Sequence, residues 1–363
     1  MLKIIASPGS YVQGAGEISR LYGYCKKLNC KKAYVIIDKY IHDNYKDTVV
    51  SSFAAAGASY ISSVFGGECS ESEVERHISS SAEGDIIIGI GGGKTLDCAK
   101  AVAYRLQRQV MIVPTAVSSD APCSRLSVMY NDDGSFDKYL PLPKNPDIVV
   151  VDTEIIACAP SRFLSAGMGD ALATYYEARA CRRSGALTMA GGKCSEAAIT
   201  LAKLCRDTLL SDGKKALLSV RDKRCTPALE KIIEANTYLS GIGFESGGLA
   251  AAHAVHNGLT ALSECHHMLH GEKVTFGLLT QLALENIATD EFLNIVDFCK
   301  DIGLPTTLSE LGLGNADNER LMTAATAACV SSDTMGNMPF KVTPDDVLSA
   351  MRLADALSSG RMH

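Results

Sequence analysis

No Cys-x-x-Cys pair occurs anywhere in this 363-residue chain, although it carries 13 cysteines. Scattered and odd in number, they fit neither a disulfide framework nor a cysteine-only zinc site, and buried free thiols in a reducing cytoplasm account for them better. A cationic surplus is also missing. Lys and Arg total 35 against 41 Asp and Glu, a net charge of -6, so nothing is present to neutralise a run of phosphates and no nucleic-acid partner is expected. No apolar span is long enough to cross a bilayer without polar interruption, and no membrane partner is expected. The start, MLKIIASPGS, lacks a basic segment followed by a long apolar run, so no signal peptide is read and a cytoplasmic location is expected. Internal repeats and low-complexity stretches are absent as well.

What remains is an ordinary globular composition, 47% apolar and 21% charged, in a chain longer than a single core usually supports. Two domains are expected, 1–156 and 157–363. The first alternates short β-branched runs (Leu2–Ile5, Ala33–Ile37, Tyr60–Phe65, Asp85–Ile90, Val110–Val113, Ile148–Val151) with helical patterns, which indicates βαβ units and a mostly parallel, Rossmann-like sheet. Asn131-Asp132-Asp133-Gly134 between two alternating runs signals an inserted hairpin. Beyond Asp152 the patterns are long, Ala/Leu/Glu-rich and helical: Gly169–Ala180, Ser195–Leu210, Ala228–Ser240, Leu249–Leu262, Val274–Ile287 and Pro344–Leu357. The fold class read from these signals is an α/β N-terminal domain followed by an all-α C-terminal domain.

The run ending at Ile90 leads into Gly91-Gly92-Gly93-Lys94 and then a helix start at Thr95. A strand, a glycine turn and a helix N-terminus bring backbone N–H groups and a favourable partial charge to an anion, so a diphosphate site and a bare structural turn are both open readings. The Walker pattern fails because position 88 is Ile, and the GxGxxG pattern fails because position 94 is Lys. Asp38 ends the second expected strand, where a carboxylate can accept from ribose hydroxyls and repel a 2′-phosphate, although it precedes the glycine turn in the chain. The polar loop Pro114 to Ser124, with Thr115, Ser118, Asp120 and Ser124, follows the next strand and faces the same crevice if the strands are parallel.

Five of the eight histidines fall between Gly247 and Lys273: His253, His256, His266, His267 and His270. His253 and His256 are three apart and share a helix face. His253 and His270 are 17 apart; one straight helix would separate them by roughly 25 Å, so the chain must bend, with Ser263-Glu264-Cys265 a plausible place, if both bind one ion. Locally bonded histidines are the alternative for each residue singly; for the cluster, metal is the expectation. A catalytic zinc takes three protein ligands and keeps one open position. The third ligand is left among Asp170, Glu177, Glu245, Glu264 and Glu272, with Asp170 read as the start of the first helix of the second domain, where an N-cap is the ordinary role.

The segments GGGKTLDCAK, PTAVSSDAPCS, MGDALATYYEARAC, TMAGGKC, EANTYLSGIGFESGGLAAAHAVHNGLTA and HHMLHGEKV together resemble the metal-dependent polyol dehydrogenases, the glycerol dehydrogenases and their iron-containing alcohol dehydrogenase relatives. The resemblance spans nearly the whole chain and implies a dehydroquinate synthase-like architecture, NAD, and one zinc, with iron(II) as the other suitable ion, held by Asp170, His253 and His270. It implies NAD contacts from Asp38, Gly92, Gly93, Lys94, Thr115, Ser118, Ser124, Leu126 and Tyr130. The substrate, a small polyol, would meet Asp120, Asp170, Phe244, His253 and His270, with Asp120 and the three metal ligands as the catalytic set. A homo-oligomer, an octamer as in relatives, is implied too. Arg125, Cys265 and Met268-Leu269 depart from the familiar pattern and bear on pocket shape. Two other functions stay open: a 3-dehydroquinate synthase-like sugar-phosphate cyclase on the same fold, and a non-redox P-loop nucleotide-binding protein built on Gly93-Lys94-Thr95.

Overall fold

A computed structural model of the chain describes residues 2–81 and 84–360. The first part holds β1 (Tyr11–Gly14), α1 (Leu21–Lys27), β2 (Lys32–Ile37), α2 (Lys39–Ala54), β3 (Ser59–Val64), α3 (Glu71–Ser80), β4 (Ile86–Gly91), α4 (Gly93–Arg105), β5 (Gln109–Pro114), β6 (Leu126–Tyr130), β7 (Phe136–Pro141) and β8 (Ile148–Asp152). The second part holds α5 (Thr153–Cys158), α6 (Ser161–Ser184), α7 (Glu196–Arg221), α8 (Pro227–Glu234), a π-helical turn (Ala235–Leu239), α9 (Ser240–Gly247), α10 (Ala251–Leu259), α11 (His270–Leu284), α12 (Thr289–Asp301), α13 (Asn318–Ala328) and α14 (Pro344–Ser359). The expected division between 156 and 157 falls within α5.

Six strands form one sheet in the order β1-β8-β5-β4-β2-β3, every pair parallel, while β6 and β7 make a separate antiparallel hairpin. The central strands are apolar almost throughout because helices cover both faces. Along β4, Ile86, Ile88 and Ile90 pack on one side with Ile37, Ile41 and Phe53, while Ile87 packs on the other with Leu96 and Val102. That second cluster continues without a break into Leu172 of α6, Ile233 of α8, Leu278 of α11 and Phe292 of α12. The helical half is therefore anchored on the α4 face of the sheet, and the strand ends are held in fixed relation to α6 and α11.

Register then decides what lies side by side. Ile37 pairs with Ile90, and Gly91 with Pro114. The residues that follow these strand ends, Asp38, Gly92 and Thr115, lie side by side at the carboxyl ends of the strands.

Two sequence expectations fail locally. Leu2–Ile5 is not a strand; Leu2 and Ile5 are exposed, and only Lys3 makes an isolated bridge, to Lys193. The edge strand is instead Tyr11–Gly14, half-buried and short, defined by its pairing with β8 and not by an apolar run. Gly167 to Asp170 does not open a helix either: α6 starts at Ser161 and runs straight through it. Glycine in a helix interior costs about 1 kcal/mol relative to Ala, and here close packing offsets that. A methyl at Gly167 would sit 1.8 Å from the Val117 carbonyl oxygen.

Candidate active site

Asp170 is the tenth residue of the 24-residue helix α6, fully buried, and so has no capping duty. His253 lies in the first turn of α10 and His270 is the first residue of α11. Between them the chain turns through a short 3-10 segment at Ser263–Cys265, the bend that a shared ion requires, so the expected single helix over Leu249–Leu262 stops at Leu259. Gly248, at φ 103, breaks the chain ahead of α10.

The three side chains converge. Oδ1 of Asp170 lies 3.3 Å from Nε2 of His253 and 3.2 Å from Nε2 of His270. One ligand atom from each falls within 4.8 Å of the others, and among the described residues this is the one such group of three or more. Ligands about 2.0–2.1 Å from a tetrahedral ion lie about 3.3 Å apart, so the observed spacing suits a shared cation. Asp170 Oδ1 is buried and has no hydrogen-bond partner in the structure. Buried carboxylate oxygens are rarely left so, and a metal ion would resolve the anomaly.

Glu177 completes the arrangement from two turns farther along α6. Its Oε2 lies 2.6 Å from Nδ1 of His253, and its Oε1 accepts from the backbone N–H groups of Ala250 and His253 at 2.8 and 3.0 Å. With Nδ1–H donating to Glu177, the lone pair of a neutral His253 resides on Nε2, facing Asp170. Both Glu177 oxygens are thus engaged in holding His253 and the start of α10. Its place seven residues after Asp170 is the helical spacing that could have suggested this from sequence. Replacing it with Gln removes the charge that fixes this tautomer, and we expect metal affinity to fall by about 10–100-fold with the fold intact, as measured by competition with a chromogenic chelator. Unchanged affinity would exclude the support role.

Electrostatics follow from this crowding. Burial works to raise the Asp170 carboxyl, but the His270 and His253 imidazoles outweigh it and hold it far below the usual carboxylate range. Burial opposes charge on His253, yet Glu177 and Asp170 raise it well above an ordinary histidine. The cluster favours positive charge, so a proton and a metal ion would compete for it. Burial, and then the adjacent Asp170 carboxylate, push Asp120 well above its usual range. The backbone N–H of Asp120 donates to Asp170 Oδ2 at 3.2 Å, so this residue of the loop after β5 touches the Asp170 carboxylate directly.

The other histidines are placed elsewhere. His256 stacks edge-on against His270 with ring centroids 4.2 Å apart, and Nε2 of His266 lies 3.1 Å from the Thr260 carbonyl oxygen. His267 meets Arg162 only through its backbone carbonyl. Cys265 is buried, its thiol turned to the Leu311 carbonyl. All 13 cysteines are free thiols, ten of them buried. Arg125 pairs with the buried Glu245 at 3.0 Å, and Leu269, at the N-cap position of α11, donates its backbone N–H to Glu272 Oε2 at 2.7 Å.

At the carboxyl ends of the strands, Gly92 is the N-cap of α4 with no side-chain cap, which leaves the first backbone N–H groups of that helix open to an anion. Asp38 caps α2 by accepting from the Ile41 N–H at 2.8 Å and lies against Gly91, where an added methyl would come within 2.8 Å of its Oδ2. The glycine turn and the acidic residue are neighbours in space because β4 and β2 are adjacent, although their chain order is reversed. Burial raises the Asp38 carboxyl despite hydrogen bonds from Ile41, Gly92 and Thr115. Lys94 is ion-paired with Glu68 at 2.6 Å and sits 4.6 Å from the centre of the Tyr130 ring. Ser124 Oγ donates to the Ala121 carbonyl at 3.1 Å, and the Leu126 carbonyl accepts from the buried Lys100. Ser118 is half-buried on the same loop, and Phe244 is buried on α9 one turn past Ser240.

Residues 8–153 match the family model described as iron-containing alcohol dehydrogenase. The chain is 54% identical over 357 residues to a glycerol dehydrogenase of Escherichia coli O6:H1, covering 98% of this chain and 97% of that protein. The chain belongs to the iron-containing alcohol dehydrogenase family. A glycolaldehyde reductase of Halobacterium salinarum is 44% identical, with 98% of each chain covered. The crystal structure of glycerol dehydrogenase from Schizosaccharomyces pombe superposes with a TM-score of 0.94 at 39% identity, covering 99% of this chain and 92% of that one. Membership places the chain among the oxidoreductases, and the architecture is that of the family. No helix of the described residues is long and apolar enough to cross a membrane.

Proposed function

We propose that this chain is an NAD-dependent glycerol dehydrogenase, oxidising glycerol and related vicinal diols such as 1,2-propanediol at the secondary carbon. The observation that carries the reading is the convergence of Asp170, His253 and His270 on one point, beside Asp120, with Asp170 Oδ1 left without a hydrogen bond. Glycerol dehydrogenases at high identity over nearly full length support the substrate. They do not favour the sugar-phosphate cyclase or the P-loop reading.

Asp170, His253 and His270 would hold a single divalent ion, read here as zinc; one carboxylate and two imidazoles suit iron(II) as well. Such an ion, when bound, supplies the Lewis acidity that makes an alcohol easier to deprotonate. NAD supplies the hydride acceptor and would lie along Asp38, Gly92, Gly93, Lys94, Thr115, Ser118, Ser124, Leu126 and Tyr130. The chain's own part is positional. Glu177 fixes His253, the N-terminus of α4 receives the diphosphate, and Asp120 accepts from a substrate hydroxyl. Asp38 disfavours a 2′-phosphate by charge. Assembly as a homo-octamer in the cytoplasm belongs to the same reading.

The test is absorbance of NADH over a panel of glycerol, 1,2-propanediol, ethanol and a sugar phosphate, with NAD and NADP at matched concentrations. Vicinal diols with NAD are expected to give the fastest turnover. Equal rates with ethanol, or with NADP, would contradict the reading; no net NADH from any alcohol would reject it.

A further inference from the structure

We propose that Ser240, at the exit of the π-helical turn, is a specificity-determining residue that orients Asp120 toward a third hydroxyl of the substrate. The inference rests on the diol-oxidation reading and adds to it a reason for glycerol over diols with only two hydroxyls.

Ser240 Oγ donates to Asp120 Oδ2 at 2.7 Å and lies 2.8 Å from the hydroxyl of Thr174 on α6. All three residues are buried. A hydroxyl has one proton, so with Ser240 donating to the carboxylate, Thr174 must donate to Ser240. The relay therefore has a direction, from α6 through α9 to the loop after β5. It occupies Oδ2 and leaves Oδ1 of Asp120 as the acceptor for an alcohol. Because the Asp120 N–H is tied to Asp170 Oδ2, a hydroxyl held by Asp120 sits beside the metal-ligand cluster and not at a distance from it.

The turn that delivers Ser240 is itself fastened to the same loop. Asn236 donates through Nδ2 to the carbonyls of Val117 and Leu164 at 3.1 and 3.3 Å, and Thr237 meets the Tyr11 hydroxyl at 2.7 Å. Gly241, next after Ser240, packs so closely that a methyl there would lie 2.8 Å from Cys123 Cβ and 3.3 Å from the Asp120 carbonyl oxygen. Single π turns recur at functional sites because the extra residue re-aims the side chains that follow. Here Asn236 and Ser240 both reach the loop that carries Asp120, at Val117 and at Asp120 itself. A vicinal diol lacking a third hydroxyl makes no use of this acceptor, whereas a site built around a substrate hydroxyl discriminates strongly by its presence.

The experiment compares kcat/KM for glycerol and for 1,2-propanediol in the wild type, Ser240→Ala and Thr174→Val, each checked for native melting. In Ser240→Ala the preference for glycerol relative to 1,2-propanediol is expected to fall about tenfold, chiefly through KM for glycerol, with Thr174→Val shifting it the same way by less. An unchanged preference, or an equal loss on both substrates, would overturn the proposal. If Ser240→Ala does not fold, Thr174→Val decides by the same ratio. A wild type that oxidises neither diol would instead reject the functional reading, which is a separate outcome.

Discussion

Replacing Asp170 with Asn is expected to abolish bound metal and to lower turnover by at least about 10³-fold while leaving the folded structure in place. The change is isosteric, and the Asn carbonyl can keep accepting from the Asp120 N–H that now donates to Oδ2. That orientation turns the amide NH2 toward Nε2 of His253 and His270, where Oδ1 lies at 3.3 and 3.2 Å in the native chain. A donor then faces the position that a cation needs an acceptor to share. Loss of Lewis-acid assistance is worth several kcal/mol, and each 1.36 kcal/mol is about tenfold in rate. Elemental analysis and initial rates on the purified variant check both halves. Ordinary metal content with ordinary turnover would remove Asp170 from the site.

The second large effect comes from outside the ligands. Gly271→Ala is expected to destabilise the protein by about 3 kcal/mol and to weaken metal binding at the same time. An added methyl would lie 1.8 Å from the Ala166 carbonyl oxygen and 3.1 Å from the Asp170 backbone nitrogen. Both are backbone atoms of α6, which cannot rotate aside as a flexible side chain can, so α11 must move away from α6. Overpacking of this kind costs about 1–3 kcal/mol or more, and the backbone obstacle puts this case at the upper end. His270 is the preceding residue and moves with the helix. A displacement of about 1 Å costs about 10²-fold in an oriented site. Urea denaturation and metal titration of the variant should therefore shift together. Native stability would show that the helix pair yields without cost; lowered stability with native metal affinity would show that His270 is positioned independently of Gly271.

Much of this was legible in the chain, for identifiable reasons. The strands Lys32–Ile37, Ile86–Gly91, Gln109–Pro114 and Ile148–Asp152 are buried on both faces and announce themselves as continuous β-branched runs. The bend between His253 and His270 follows from helix length alone. What the sequence hid was tertiary. Gly167-Met168-Gly169-Asp170 has the composition of a helix start, but its glycines answer to Val117, Thr275 and Gly271 packed against α6. Asp170 accordingly looked like a cap when it is an interior carboxylate. The expected helix Ala228–Ser240 contains a π turn that no periodicity reveals; within it Asn236 and Thr237 bond to Val117 and Tyr11, partners far away in the chain. The helical spacing of Glu177 from Asp170 could be read in the chain, but its contact with His253 and that of Ser240 with Asp120 appear only once distances are known.

The account turns on one cation between the carboxylate of α6 and the imidazoles of α10 and α11. The direct measurement is to strip the wild-type protein with a chelator, then add zinc in small steps while following bound metal and NADH formation from glycerol. The account predicts that stripped protein is inactive and that activity climbs linearly to a plateau at one ion per chain, the number of ligand clusters among the described residues. Full activity in protein free of bound metal would contradict it.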